Sequence, residues 1–422
     1  MQISIKGTIF ATKFNNSMKR EDFPILNQKV HGRDLVYLDN AATTQKPKVV
    51  LQAITEAYSQ WNANVHRGVH HLSQVATLKH EEAREKIAQL LHAQSSEEII
   101  FTKGTTDSIN MLARSFGDAT VKEGDEIIVT HLEHHSNIVP WQMLCERKGA
   151  VLKAMPLRKD LSIDMDAFKS LLSEKTRLIS VAHVSNVLGI INPIEDIIRS
   201  AHEKGIAVCI DGAQSVPHLM IDVQQLDCDF LVFSAHKMYG PTGLGVLYGK
   251  KEWLDKLPPT EGGGEMIEHV SFAKTTYNVL PYKFEAGTPN YVGSYAFSKA
   301  IDYIQEIGLN EIAQHEHNLI EYTEKLLGNI QQIHIYAEGN TKAGAVSFNV
   351  YRQDGTLIHP FDVGVLLDRQ GIAVRTGHHC AEPLIDLLGV PGTVRVSVAM
   401  YNTKEDIDTF IAALKKAILM LE

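Results

Sequence analysis

Two apolar runs, Ala207-Val208-Cys209-Ile210 and Phe230-Leu231-Val232-Phe233, decide how this chain folds. Neither alternates with polar residues, which is the mark of a strand buried on both faces. The first runs into Asp211-Gly212-Ala213-Gln214, the second into Ser234-Ala235-His236-Lys237. Four more runs of this kind lie at 98–101, 126–129, 178–181 and 245–248, and amphipathic segments such as 194–204 separate several of them. Strands alternating with helices build a mainly parallel sheet covered on both faces, so the fold class is α/β.

Outward from that core the pattern changes near Gly287-Thr288-Pro289. Long amphipathic helices follow from about 291, then strands at 345–350 and 394–398, then a closing helix. Thr403 and Asp406 fit the capping box of that helix. At 422 residues the chain exceeds the usual single domain. Residues 36–290 are read as a large domain, and 1–35 with 291–422 as a smaller α+β domain.

Hydrophobic residues at 44% and charged residues at 22% describe an ordinary globular protein. A net charge of -9 without a long basic run argues against nucleic acid. No apolar stretch approaches the ~20 residues needed to cross a bilayer. Cys145, Cys209, Cys228 and Cys380 form no C-x-x-C pair, so neither a metal site nor a disulfide framework is expected, and a reducing, cytoplasmic location fits. The first twenty residues carry Lys6, Lys13, Lys19 and Arg20 and no acid. A transit segment, a plain extension, or a true start at Met18 all satisfy that pattern.

The residues just beyond the runs carry the chemistry. Thr105 and Thr106 follow the first run and His134 the second; Ser185 and Asn186, Asp211 and Gln214, and Ser234, His236 and Lys237 follow the next three. Open α/β sheets bind ligands at the carboxyl ends of their strands, so these groups converge on one crevice. A lysine desolvated there is able to be neutral near pH 7 and form a Schiff base; an ordinary surface lysine in a loop is the alternative. Pyridoxal phosphate (PLP) needs that lysine and an acid for its pyridine nitrogen. Asp211, ending an apolar strand, is the natural candidate for that acid, a helix cap or turn residue being the alternative. Gly104-Thr105-Thr106 opens a helical segment at 107–116, whose free amides suit a phosphate, with Ser234 and His236 as further donors. Arg395 interrupts an alternating strand, where its fork suits a carboxylate or a structural salt bridge. Cys380 is flanked by Arg375, His378 and His379, local donors or cations that would enrich its thiolate.

Asp211-Gly212-Ala213-Gln214, Ser234-Ala235-His236-Lys237 and Glu133-His134-His135 together resemble the class V aminotransferase family of fold-type I PLP enzymes, and most strongly its cysteine desulfurases. Arg375-Thr376-Gly377-His378-His379-Cys380-Ala381 resembles the group II, SufS-type branch, as do Leu38-Asp39-Asn40-Ala41-Ala42-Thr43-Thr44 and Val65-His66-Arg67-Gly68. The resemblance implies a mainly parallel seven-stranded sheet in the large domain. It implies that Lys237 forms the Schiff base, Asp211 pairs with the pyridine nitrogen, Gln214 bonds the ring hydroxyl, and His134 stacks on the ring and moves protons. Thr105, Thr106, Ser234 and His236 would hold the phosphate, with Thr288 reaching that of a partner subunit in a homodimer. Asn186 and Arg395 would grip the substrate carboxylate, with Arg375, His66 and Arg67 also at the substrate. Glu261-Gly262-Gly263-Gly264-Glu265 would flank the site, or serve only as a linker.

The same resemblance implies conversion of L-cysteine to L-alanine, with a persulfide on Cys380. The sulfur would pass to an acceptor protein of the SufE or SufU kind for iron–sulfur cluster assembly. L-selenocysteine is the alternative substrate. Kynureninase-like or aminotransferase roles need no Cys380, and a non-catalytic docking scaffold needs neither Cys380 nor Lys237.

Overall fold

The computed structural model describes residues 18–422; the basic residues Lys6 and Lys13, and so the question of a leader, lie outside the described residues. Seven strands form one sheet: β1 (Ile99–Thr102), β2 (Glu126–Thr130), β3 (Val151–Met155), β4 (Thr176–Ala182), β5 (Ala207–Asp211), β6 (Phe230–Ser234) and β7 (Gly245–Gly249). Their spatial order is β1-β7-β6-β5-β4-β2-β3. β7 runs antiparallel to both neighbours and every other pairing is parallel. All six expected runs are strands. The seventh, β3, leaves no such run because it is an edge strand, with Val151 and Ala154 exposed and Lys153 in its middle.

The two-residue period of the strands sorts their side chains into two cores. Ile100, Ile127, Val129, Leu178, Cys209 and Val232 pack with helices α1 (Thr105–Thr120) and α2 (Val139–Lys148). Their neighbours Ile99, Ile128, Ile179, Val208, Ile210 and Leu231 pack on the other face, against α3 (Ile194–His202) and α4 (Tyr291–Ile307) among others. That two-sided burial is why the runs lack polar alternation.

Beyond α4 and α5 (Leu309–Gly328), a second sheet contains β8 (Ile333–Ile335), β9 (Ala345–Tyr351), β10 (Leu357–Ile358), β11 (Arg375–Gly377) and β12 (Thr393–Ser397). Its order is β8-β9-β12-β11, with β10 beside β9 and all pairings antiparallel. The closing helix α6 (Lys404–Leu421) covers it, and Thr403 and Asp406 make the reciprocal bonds of a capping box. Val36-Tyr37 pairs with Ile372-Ala373, and Asp39 bridges to Ser397. This seats the 38–44 segment between the two sheets.

One buried ion pair pins the sheet edge. Arg84 is 1% exposed. It donates to both oxygens of Glu285 (2.6 and 2.9 Å) and to the Ile99 carbonyl (2.8 Å), while Glu285 also accepts from the Phe101 amide. Arg84→Met is expected to leave Glu285 buried and unpaired, costing about 3–5 kcal/mol in urea unfolding. A loss below about 1 kcal/mol, the range of exposed pairs, would contradict this account of the edge.

Candidate active site

Where the strands of the large sheet end, a cavity of about 190 Å³ opens. Thr105, Thr106, His134, Asn186, Asp211, Gln214, Ser234, His236, Lys237, Arg375, Cys380 and Arg395 all line it. Lys237 and Cys380, distant along the chain and carried by different sheets, therefore face one space. Thr288, His66 and Arg67 do not line it, nor does any residue of the 261–265 loop. Glu265 instead accepts from Arg67 Nε (3.1 Å) and lies 2.9 Å from His66.

Lys237 follows β6 in a single helical turn. Burial pushes its ammonium down to about 8; Asp211 opposes this, and Arg395 and Arg375 assist it. Capture of PLP by the cofactor-free protein is therefore expected to accelerate as pH rises through about 8, because only the neutral amine attacks an aldehyde. Stopped-flow absorbance checks this, and a rate that is flat through that range would contradict it.

The peptide before Lys237 is clamped. The His236 carbonyl accepts from Lys46 Nζ (2.9 Å), Thr43 Oγ1 (3.0 Å), Thr44 Oγ1 (3.2 Å) and the Thr44 amide (3.1 Å). Burial lowers Lys46 to about 8. Sequence reasoning does not single out Lys46; its one signal is a lysine two residues after a Thr-Thr pair.

The cavity fits PLP on its own chemistry. Asp211 is buried, and Oδ1 accepts from the Ala213 amide (2.9 Å). Its other oxygen has no partner among the described residues, although burial raises the proton affinity of the carboxyl. A protonated ring nitrogen would answer that oxygen. Opposite it, α1 begins at Thr105, whose amide and hydroxyl meet Ser234 Oγ (2.8 and 2.7 Å). The exposed Thr106 and the first-turn amides remain for a phosphate. Backbone closeness makes this turn possible: a Cβ on Gly245 would lie 2.4 Å from Gly104. Gln214 Nε2 donates to the Ala41 carbonyl (2.7 Å), leaving its oxygen for another donor.

His134 Nδ1 accepts from the Ser136 amide (3.1 Å), so its hydrogen sits on Nε2. Burial holds it down at about 3, with Lys237 adding to the effect, and the ring is neutral. Glu133 anchors this turn, accepting from Thr130, Asn137 and the Ala182 amide, and burial lifts it to about 7.

Two expectations change in detail. His379, read as a donor or cation beside the thiol, is buried and pushed down to about 2, so it is neutral; Nε2 meets Thr393 Oγ1 (2.9 Å). Asn186 Nδ2 already donates to the His379 carbonyl (2.8 Å), which leaves only its oxygen and one hydrogen free. Arg395 is 2% exposed and pairs with Asp39 (2.9 Å) and the Asn186 carbonyl (2.8 Å), while its Nε has no partner among the described residues. Arg395 thus makes a structural pair and also lines the cavity.

A family profile described as aminotransferase class-V matches residues 36–410. A probable cysteine desulfurase of Halalkalibacterium halodurans is 51% identical over 93% of this chain and 96% of its own. The cysteine desulfurase of Cronobacter sakazakii is 49% identical over 95% and 98%. Among solved structures, a cysteine desulfurase from Thermococcus onnurineus superposes with a TM-score of 0.91 at 39% identity, over 98% of this chain and 100% of that one. The Escherichia coli cysteine desulfurase CsdA gives 0.87 at 40% identity over 96% and 98%. With strand ends, lysine, acid and thiol gathered as described, the chain belongs to the aminotransferase class-V family, alongside its cysteine desulfurases.

Proposed function

We propose that this PLP-dependent cysteine desulfurase uses Lys237 as its proton-transferring amine and Cys380 as the sulfur acceptor. The supporting observation is that amine and thiol line one cavity floored by Asp211. When bound, PLP supplies an electron sink that acidifies the substrate's α-carbon and weakens its Cβ–S bond.

Arg395 and Arg375 receive the carboxylate of L-cysteine, fixing the α-carbon near Lys237. The Lys237 amine takes the α-proton and returns it on the cofactor side. Neutral His134, with hydrogen on Nε2, lines the same cavity and would offer the bound cofactor a donor that adds no charge. Cys380 attacks the substrate sulfur: the S–S bond forms as Cβ–S breaks, and the electron pair leaves with the carbon skeleton. Protonation at that carbon, followed by return of the α-proton to the α-carbon by Lys237, yields L-alanine and leaves the persulfide on Cys380.

The persulfide is then handed to an acceptor protein of the SufE or SufU kind for iron–sulfur assembly, in the cytoplasm. The half-buried position of Cys380 supports a sheltered sulfur that a docked partner reaches. Among the described residues no helix is long and apolar enough to cross a membrane. The working unit is a homodimer, in which Thr288, His66 and Arg67 serve the partner's cavity. Exposed Val69, close to Arg67 in the chain, and exposed Phe272 and Val279 favour that reading. Residues 36–290 act as the cofactor domain, and 291–422 with 1–35 as the thiol-bearing one.

With L-cysteine and a reductant, L-alanine and sulfide are expected to accumulate in equal amounts. Pyruvate and ammonia in place of alanine would overturn the reading.

A further inference from the structure

The turn that carries Cys380 is strained. His379 and Cys380 are consecutive non-glycine residues with φ of 53° and 56°. That left-handed region is unfavourable for side-chain-bearing residues and persists only when the surroundings enforce it. Gly377 just before them also has positive φ (104°), so the whole chain path here is unusual.

Three ties enforce it. Asn186 holds the His379 carbonyl, and Thr393 holds the His379 ring. The third comes from the residue beside His134. The His135 amide donates to the Cys380 carbonyl (2.7 Å), and His135 Nε2 accepts from the Glu382 amide (2.9 Å). Glu382 begins a short helix (Glu382–Leu388), whose first amides have no partner within the helix. His135 thus grips the thiol residue from both sides. It is itself fixed, since the preceding Glu133 is bonded into β4 through the Ala182 amide.

We propose that His135 is a positioning residue for Cys380. Its backbone and ring strap the strained thiol turn to the same loop that places His134 over the cofactor site. The distance from sulfur acceptor to substrate sulfur is therefore set by one short rigid segment. This rests on Cys380 being the nucleophile. His135 does not line the cavity, so its loss spares substrate binding and slows only the step that needs the thiol.

The test compares His135→Phe, which cannot accept from Glu382, with His135→Gln, whose oxygen can. Each holoenzyme is mixed with L-cysteine; the absorbance change reports substrate binding, and quenched digests report persulfide on the peptide holding Cys380. In His135→Phe the binding amplitude and affinity are expected to stay native, while persulfide formation slows by about 10-fold to 10²-fold, the scale of a misplaced reacting group. His135→Gln is expected to recover a rate nearer native than His135→Phe. Native persulfide rates in His135→Phe, equal losses in both variants, or a parallel loss of L-cysteine binding would each overturn the strap. Hydrogen exchange on the native holoenzyme tests it without a variant: the Glu382 amide is slow if strapped, and fast exchange overturns the proposal. Sulfur on a residue other than Cys380 in the native enzyme would instead remove the nucleophile assignment.

Discussion

Lys237→Ala is expected to lose the visible absorbance of the lysine-bound cofactor, and turnover with it by at least about 10⁴-fold, the upper range for a positioned proton-transfer group. Strand β6 ends in Ser234 and turns at once, so Lys237 is delivered to the cavity wall by a rigid strand. Clamping of the His236 carbonyl leaves the lysine backbone little freedom. Burial, helped by two arginines, lowers its ammonium to about 8, so an appreciable share of the amine is neutral near physiological pH and would be available as nucleophile and base. Among the described residues no other lysine lines the cavity, so none of them is placed to substitute. Added amines would restore only a slow reaction. A variant that kept the visible band would remove Lys237 from its role.

Cys380→Ala is expected to behave differently. It would bind PLP and L-cysteine normally, since neither Asp211 nor Arg395 depends on the thiol, and it would show the absorbance change of substrate binding. Sulfur release would fall by several orders of magnitude, the scale of losing a covalent nucleophile. Serine in the same place would be as inactive, because a neutral hydroxyl is a poor nucleophile toward sulfur. The other cysteines offer no rescue: Cys145, Cys209 and Cys228 are buried, and burial pushes their thiols up, to about 11 for Cys145 and about 12 for Cys228. Unchanged turnover in the presence of an acceptor would reject Cys380.

The large sheet is legible in the sequence because strands buried on both faces leave unbroken apolar runs, and because the parallel arrangement puts every following polar residue at one end. Lys237, Asp211 and Ser234 emerge from that logic alone. Edge strand β3 does not, since half exposure erases the signal. Pairings across long sequence separations are also invisible. Arg395 stands out as an arginine in a strand, yet its tie to Asp39 depends on how the 38–44 segment lies beside β12. His379 reads as a cation from its neighbours, but β12 buries it against Thr393 and keeps it neutral. His135 is visible only as part of a motif; its grip on Cys380 requires the two sheets to be brought together. Local periodicity reports burial, whereas the contacts that support the site from behind are set by how the elements pack.

The most direct measurement is the mass of the intact holoenzyme after brief exposure to L-cysteine without reductant, followed by peptide mapping. The gain of a single sulfur atom on the peptide holding Cys380, absent from Cys380→Ala and from Lys237→Ala, is the predicted result. An unchanged mass despite alanine production, or sulfur carried by a different cysteine, would contradict the meeting of amine and thiol in one cavity.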